Sequence, residues 1–107
     1  MIISVVNQKG GVGKTTIAIN IGIGMARRNF KVGFLDTDPQ GTASQWQSIE
    51  GNVAFEVRRH PSPVSCADLT EEDLNHGFLV IDTPPAIGEI TLSVLELADL
   101  AIVPLAP

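Results

Sequence analysis

The sequence predicts an α/β fold in which a parallel sheet lies between two layers of helices. Three observations carry this. Short, β-branched, almost uniformly apolar runs such as Met1–Val6 and Phe78–Ile81 read as strands covered on both faces. Segments long enough for helices separate them, and strands alternating with helices close through right-handed crossovers into a parallel sheet. Three segments, Lys9–Thr16, Asp36–Gln40 and Asp82–Pro85, place polar chemistry at or within two residues of the end of an apolar run. That is where such sheets bind ligands, at the carboxyl ends of strands.

Taken in order, Met1–Val6 is the first strand and Thr15 to about Asn29 the first helix. Ile17, Ile21, Gly24, Met25 and Arg28 fall on one side of that helix, while Ile19 and Ile23 make the other side apolar too. The reading is therefore a helix covered over most of its surface. Lys31–Leu35 is the second strand. Gln40 to about Ile49 is a second helix with Pro39 near its first turn. Val53–Val57 is a weaker third strand, followed by a loop, His60–Ser65, with two prolines. Thr70–Asn75 is a short helix, with Thr70 and Asp73 in capping-box register and Gly77 to end it. Phe78–Ile81 is the fourth strand, Glu89–Ala98 a helix with Ile90, Val94, Leu97 and Ala98 on one face, and Leu100–Val103 the fifth strand. Residues 1–107 read as a single domain.

A formal net charge of −5 argues against a free-standing binder that works by neutralising nucleic-acid phosphates. The basic clusters Arg27-Arg28 and Arg58-Arg59-His60 read as solvated element ends. The one cysteine, Cys66, excludes an intrachain disulfide and a cysteine-built metal or iron–sulfur centre, which fits a cytoplasmic protein. His60 and His76 show no acid partner in the sequence pattern, and Trp46 reads as packing. No basic segment precedes the N-terminal apolar residues as in a signal peptide, and Glu96 and Asp99 interrupt Ile90–Pro107 as a membrane span.

The glycines of KGGVGKTT, residues 9–16, let the backbone curl until its N–H groups meet an anion. The loop feeds a helix N-terminus, whose unpaired N–H groups and dipole favour phosphate. Gly10, Gly11, Val12, Gly13, Lys14, Thr15 and Thr16 are thus the candidate phosphate cradle. Lys14 reaches the β- and γ-phosphates, and Thr15 offers its hydroxyl to Mg²⁺. Phe78-Leu-Val-Ile-Asp82 reads as a strand delivering one carboxylate to that metal. For Asp36 and Asp38, spacing alone leaves two readings open: a pair facing a metal and its waters, or an acidic turn capping a helix through Asp38.

The common P-loop pattern would place a glycine where Gln8 stands, and Lys9 follows it. This Lys-Gly-Gly-Val-Gly-Lys-Thr form resembles the deviant Walker A loop of the ParA/MinD superfamily. Asp36-Thr-Asp-Pro-Gln-Gly41 resembles the second motif of ParA-type partition ATPases, and Thr83-Pro-Pro85 the family's second switch. The resemblance implies a P-loop NTPase-like three-layer fold, cut short after about five strands at Pro107, since the family continues with further strands and helices.

It also implies ATP and Mg²⁺ as ligands. Lys9 would reach across a homodimer formed on ATP binding to the partner's nucleotide. Asp38 would orient the attacking water and Asp36 hold a water of the Mg²⁺ shell. As partners it implies a ParB-like centromere-binding protein and non-specific DNA, with the family's basic patch absent from this stretch, and no membrane. Three alternatives stand beside partitioning. One is a nucleotide-binding or oligomerisation module without turnover. Another is a MinD-like role in cell-division placement, which needs an amphipathic membrane helix not seen here. The third is a cobyrinic acid synthase-like amidoligase, which Asp-Pro-Gln-Gly disfavours.

Overall fold

A computed structural model of the chain describes residues 1–6, 14–41, 43–44, 55–75, 77–85 and 87–104, with the backbone alone at Lys14 and Asn75. Five strands, β1 (Ile2–Val5), β2 (Val32–Asp36), β3 (Val57–Arg59), β4 (Phe78–Asp82) and β5 (Leu100–Ile102), form one sheet in the order β3-β2-β4-β1-β5. Every pair is parallel, as the alternation of strands and helices predicts. The helices are α1 (Lys14–Arg27), α2 (Glu71–Asn75) and α3 (Glu89–Leu97), with a 3₁₀ turn at Cys66–Asp68.

Period-two alternation divides the core into two layers. Val5, Phe34 and Val80 point to one face, where they pack with Ala18 and Ile19 of α1, Ala43 and Phe55. Ile2, Leu35, Leu79 and Ile81 point to the other, where they meet Val94 of α3 and Val64, with Leu97 and Ala98 packed alongside. The strands are buried on both faces, and this is why their sequences are continuous apolar runs.

The first helix is less covered than its composition suggests. Ala18, Ile19 and Gly22 face the sheet, whereas Ile17 and Asn20 are exposed. Gly22 serves a close approach: a Cβ there would lie 2.7 Å from the Phe55 ring. The helix stops at Asn29, which adopts φ +67°. The amide of Asn29 donates to Ala26 O and that of Phe30 to Met25 O, closing the end as a Schellman motif.

Two other elements differ from expectation. The third strand was expected at Val53–Val57; β3 instead runs Val57–Arg59, and Val53 and Ala54 lie outside the described residues. Phe55 leaves the ladder because its ring turns inward and stacks on Phe34, centroids 5.6 Å apart and planes 9° from parallel. The ladder then carries Val57 opposite Phe34 and Arg59 opposite Asp36. Of the expected second helix, Ala43 and Ser44 are described and helical, Pro39 and Gln40 form a turn before them, and residues 42 and 45–50 lie outside the described set.

The capping box at α2 is as expected. Thr70 N donates to Asp73 Oδ2 at 2.8 Å, and Asp73 N donates to Thr70 Oγ1 at 3.1 Å. Arg58 Nη2 adds bonds to both carboxylate oxygens of Asp73 at 2.8 and 3.0 Å. Burial pushes the Asp73 carboxyl up, but the Thr70 amide and the Arg58 guanidinium outweigh it and hold the group below its ordinary value. The folded-state value is thus the lower one. The stabilisation is complete above the unfolded value and is lost as pH falls through the folded one. Stability measured by urea unfolding is expected to fall with acidification below about pH 4 in the wild type. Arg58→Ala should lower stability by about 1–3 kcal/mol at neutral pH and flatten that slope. A slope identical to wild type would show that this pair does not set it.

Candidate functional site

The carboxyl ends of three strands stand in one row. Val5 of β1 is the register partner of Asp82 of β4, which is in turn the register partner of Asp36 of β2. Paired residues in a parallel ladder share a face, so both aspartates lie on the α1 side. Each is fully buried. Two neighbouring carboxylates out of water repel, and such a pair persists only where donors or a cation compensate.

The donors are specific. Thr15, in the first turn of α1, donates its Oγ1 to Asp82 Oδ2 at 2.8 Å. Asp36 Oδ1 accepts Asp38 N at 3.1 Å, and its Oδ2 accepts both Ser44 N at 3.2 Å and Ser44 Oγ at 3.1 Å. Two buried threonines bind the strand tips together. Thr37 Oγ1 donates to Asp82 O at 2.7 Å, and Thr83 Oγ1 donates to Val5 O at 2.8 Å. The row of tips is therefore tied by side chains beyond the point where the ladder ends.

Asp38 follows on the loop after β2 and is 5% exposed. Its Oδ1 accepts Gln40 N at 3.0 Å, and its carbonyl accepts Gly41 N at 2.9 Å. Arg59 Nη2 donates to the carbonyls of Asp38 at 3.2 Å and Pro39 at 3.1 Å. Gly41 has φ +66°, and a Cβ there would sit 3.0 Å from the Arg59 Cζ, so both conformation and space call for glycine. On the α3 side of the tips a hollow of about 450 Å³ is lined by Pro39, Pro61, Pro63, Pro84, Gly88 and Ile90. A second hollow of about 230 Å³, lined by Lys31, Gly33, Arg58 and Phe78, lies at the amino ends of β2 and β4, away from this chemistry.

The structure thus brings together Thr15, Asp36, Asp38 and Asp82 from segments far apart in sequence. Lys9, Gly10, Gly11, Val12 and Gly13 lie outside the described residues. Lys14 opens α1, and Thr16 is an exposed residue of its first turn. Among the described residues no three His, Cys, Asp or Glu side chains converge on one point. One hydroxyl beside one buried carboxylate nonetheless fits Mg²⁺, an oxygen-seeking ion that takes one or two carboxylates and completes its shell with water and phosphate oxygens.

Sequence reasoning missed three contributors. Thr37 and Ser44 lie in or just beyond the Asp36–Gly41 motif but the sequence gives them no role, and Arg59 reads as a solvated strand end until its loop partners are seen. It also gave His60 no acid partner, whereas His60 Nε2 lies 3.6 Å from Asp68 Oδ2. Ser62 Oγ lies 3.2 Å from the same nitrogen. A nucleophile relay needs its hydroxyl and carboxylate on different ring nitrogens, so this trio is a loop staple, not a triad. No helix among the described residues is long and apolar enough to cross a membrane.

Comparison with known proteins agrees with this fold. The family described as AAA domain matches residues 1–58. The maintenance of carboxysome distribution protein A of Halothiobacillus neapolitanus is 35% identical, over 98% of this chain and 50% of that protein. The chromosome partitioning protein ParA of Myxococcus xanthus is 27% identical, over 97% of this chain and 51% of that protein. The crystal structure of a plasmid partition protein from Borrelia burgdorferi bound to AMPPNP superposes with a TM-score of 0.72 at 21% identity, covering 96% of this chain and 60% of the other. The chain spans about half the length of the curated relatives it matches.

Proposed function

Because the chain belongs to the AAA-domain family and is similar to ParA-type partition proteins, we propose that it is the nucleotide-binding part of a Mg²⁺-dependent ATPase. In this reading it positions a large cargo, a plasmid or chromosome, as a homodimer switched by ATP. The observation that carries the reading is the 2.8 Å pairing of Thr15 Oγ1 with Asp82 Oδ2, where the start of α1 meets a buried strand-end acid.

In this reading Gly10 to Thr16 wrap the triphosphate with backbone amides, and Lys14 balances its charge. Thr15 and Asp82 would hold Mg²⁺, which when bound draws charge from the phosphate oxygens. Asp38 orients a water in line with the γ-phosphate, and Lys9 of a second copy completes the site as an arginine finger does elsewhere. A ParB-like protein that stimulates turnover and non-specific DNA are the partners proposed with it, in the cytoplasm. One observation favours a second cargo: the relative named for carboxysome distribution is more alike in sequence than the chromosome partitioning protein. A carboxysome is thus the alternative cargo to DNA.

Phosphate release from ATP and Mg²⁺, measured on the wild type and Asp38→Ala, tests the proposal. Turnover is expected to fall by about 10²–10⁴-fold in the variant, as for loss of a proton-handling group, while nucleotide binding persists. Binding without turnover in the wild type, unaltered by the substitution, would establish the non-hydrolysing module instead.

A further inference from the structure

We propose that Arg59 and Asp36 are positioning residues that clamp the loop carrying Asp38, Arg59 by its carbonyls and Asp36 by its amides. The two are register partners on adjacent strands and share a face. The guanidinium of Arg59 takes the carbonyls of Asp38 and Pro39. The carboxylate of Asp36 takes the Asp38 amide on one oxygen and the Ser44 amide and hydroxyl on the other. The backbone of Asp36 is itself held from β3, where His60 N donates to Asp36 O at 2.9 Å. Between the two groups the loop closes on itself through Gly41 N to Asp38 O and Gln40 N to Asp38 Oδ1.

The arrangement gives Asp36 a different task from Asp82. Each oxygen of Asp36 already receives protein N–H or O–H donors, and its carboxylate is fully buried. A group so used fixes backbone, tying the end of β2 to the start of the helix at Ala43–Ser44. Asp82 accepts the Thr15 hydroxyl from the first turn of α1. Loop geometry thus falls to Asp36, Ser44 and Arg59, while the proposed metal site stays with Thr15 and Asp82. Arg59 Nη2 alone reaches both carbonyl oxygens, since one guanidinium nitrogen carries two N–H donors. Water orientation tolerates little displacement, so a loose Asp38 loop costs turnover even with every catalytic group present.

The catalytic consequence rests on the ATPase reading; the mechanical one does not. Amide hydrogen exchange on the chain without nucleotide reads the clamp directly. In Arg59→Ala, exposed enough to leave folding intact, exchange at Gln40 and Gly41 is expected to quicken about 10–100-fold, the value of charge-assisted hydrogen bonds, with β4 unchanged. Arg59→Lys should restore part of the protection. Ser44→Ala should loosen the Asp38 amide in the same sense. Mn²⁺ affinity in the presence of ATP is expected to stay within about twofold in Asp36→Asn and to fall by more than about tenfold in Asp82→Asn. Wild-type exchange rates in Arg59→Ala would overturn the clamp. Equal loss of Mn²⁺ in the two aspartate variants would return Asp36 to the metal shell. Where turnover is present, kcat should fall in Arg59→Ala with KM held. Absence of turnover in the wild type would sink the ATPase reading and leave the exchange result to decide the clamp.

Discussion

Asp82→Ala is expected to remove the Mg²⁺ dependence of nucleotide binding. In titration calorimetry the wild type should bind ATP more tightly with Mg²⁺ than with EDTA, and the variant should bind equally in both. The loss should be at least the about 10–100-fold that accompanies removal of even an outer partner of a metal site. The reasoning is electrostatic. Asp82 is held out of water at a strand tip with the Thr15 hydroxyl 2.8 Å away. A carboxylate there interacts with a cation across a medium that screens poorly, so its removal is felt more than that of a surface acid. Asp82→Asn keeps the volume and an acceptor for Thr15 while removing the charge, and should behave as the alanine variant does. Retained Mg²⁺ dependence in both would show that this acid is structural.

Phe34→Ala is expected to cost about 3–5 kcal/mol of stability. The ring is fully buried on β2, stacked against Phe55 and packed on the layer formed by α1. Removing it leaves a cavity bounded by the sheet, which cannot collapse, and by a glycine-lined helix already in contact with Phe55. Single domains hold only about 5–15 kcal/mol in total, so the urea midpoint should fall by a large share. Leu100→Ala offers the contrast. Leu100 is 48% exposed on β5, and its truncation should stay within about 0.5 kcal/mol. Similar losses for the two would mean that the β5 face is covered in solution, which sedimentation velocity would then show as association.

The fold was legible because parallel strands buried on both faces leave a simple mark. Met1–Val6 and Phe78–Ile81 suited strands covered on both faces, and β1 and β4 are such strands. Where side-chain packing competed with the ladder, the reading slipped. Phe55 has strand propensity, yet stacking on Phe34 drew it out of β3 and moved the strand toward Arg59. Propensity cannot weigh a ring that finds a partner twenty-one residues earlier. The face of α1 was ambiguous for a related reason: isoleucines on both sides give no preferred direction, and Gly22, without a side chain, decided the contact by yielding space to Phe55.

Within the site the sequence by itself determined which groups are available: a glycine-rich segment running into Lys14 and Thr15, acids at Asp36, Asp38 and Asp82, and a glycine at position 41. Tertiary structure alone decided what each group faces. Asp36 and Asp38 are indistinguishable as a spaced pair, but the register of β2 with β3 and β4 sets Asp36 among amides and beside Arg59, while α1 brings Thr15 to Asp82. The physical reason is range. Conformational preference and hydrophobic period act over a few neighbouring residues and are written in local sequence. Hydrogen bonds between strand tips depend on which chains lie side by side, and only the folded sheet fixes that.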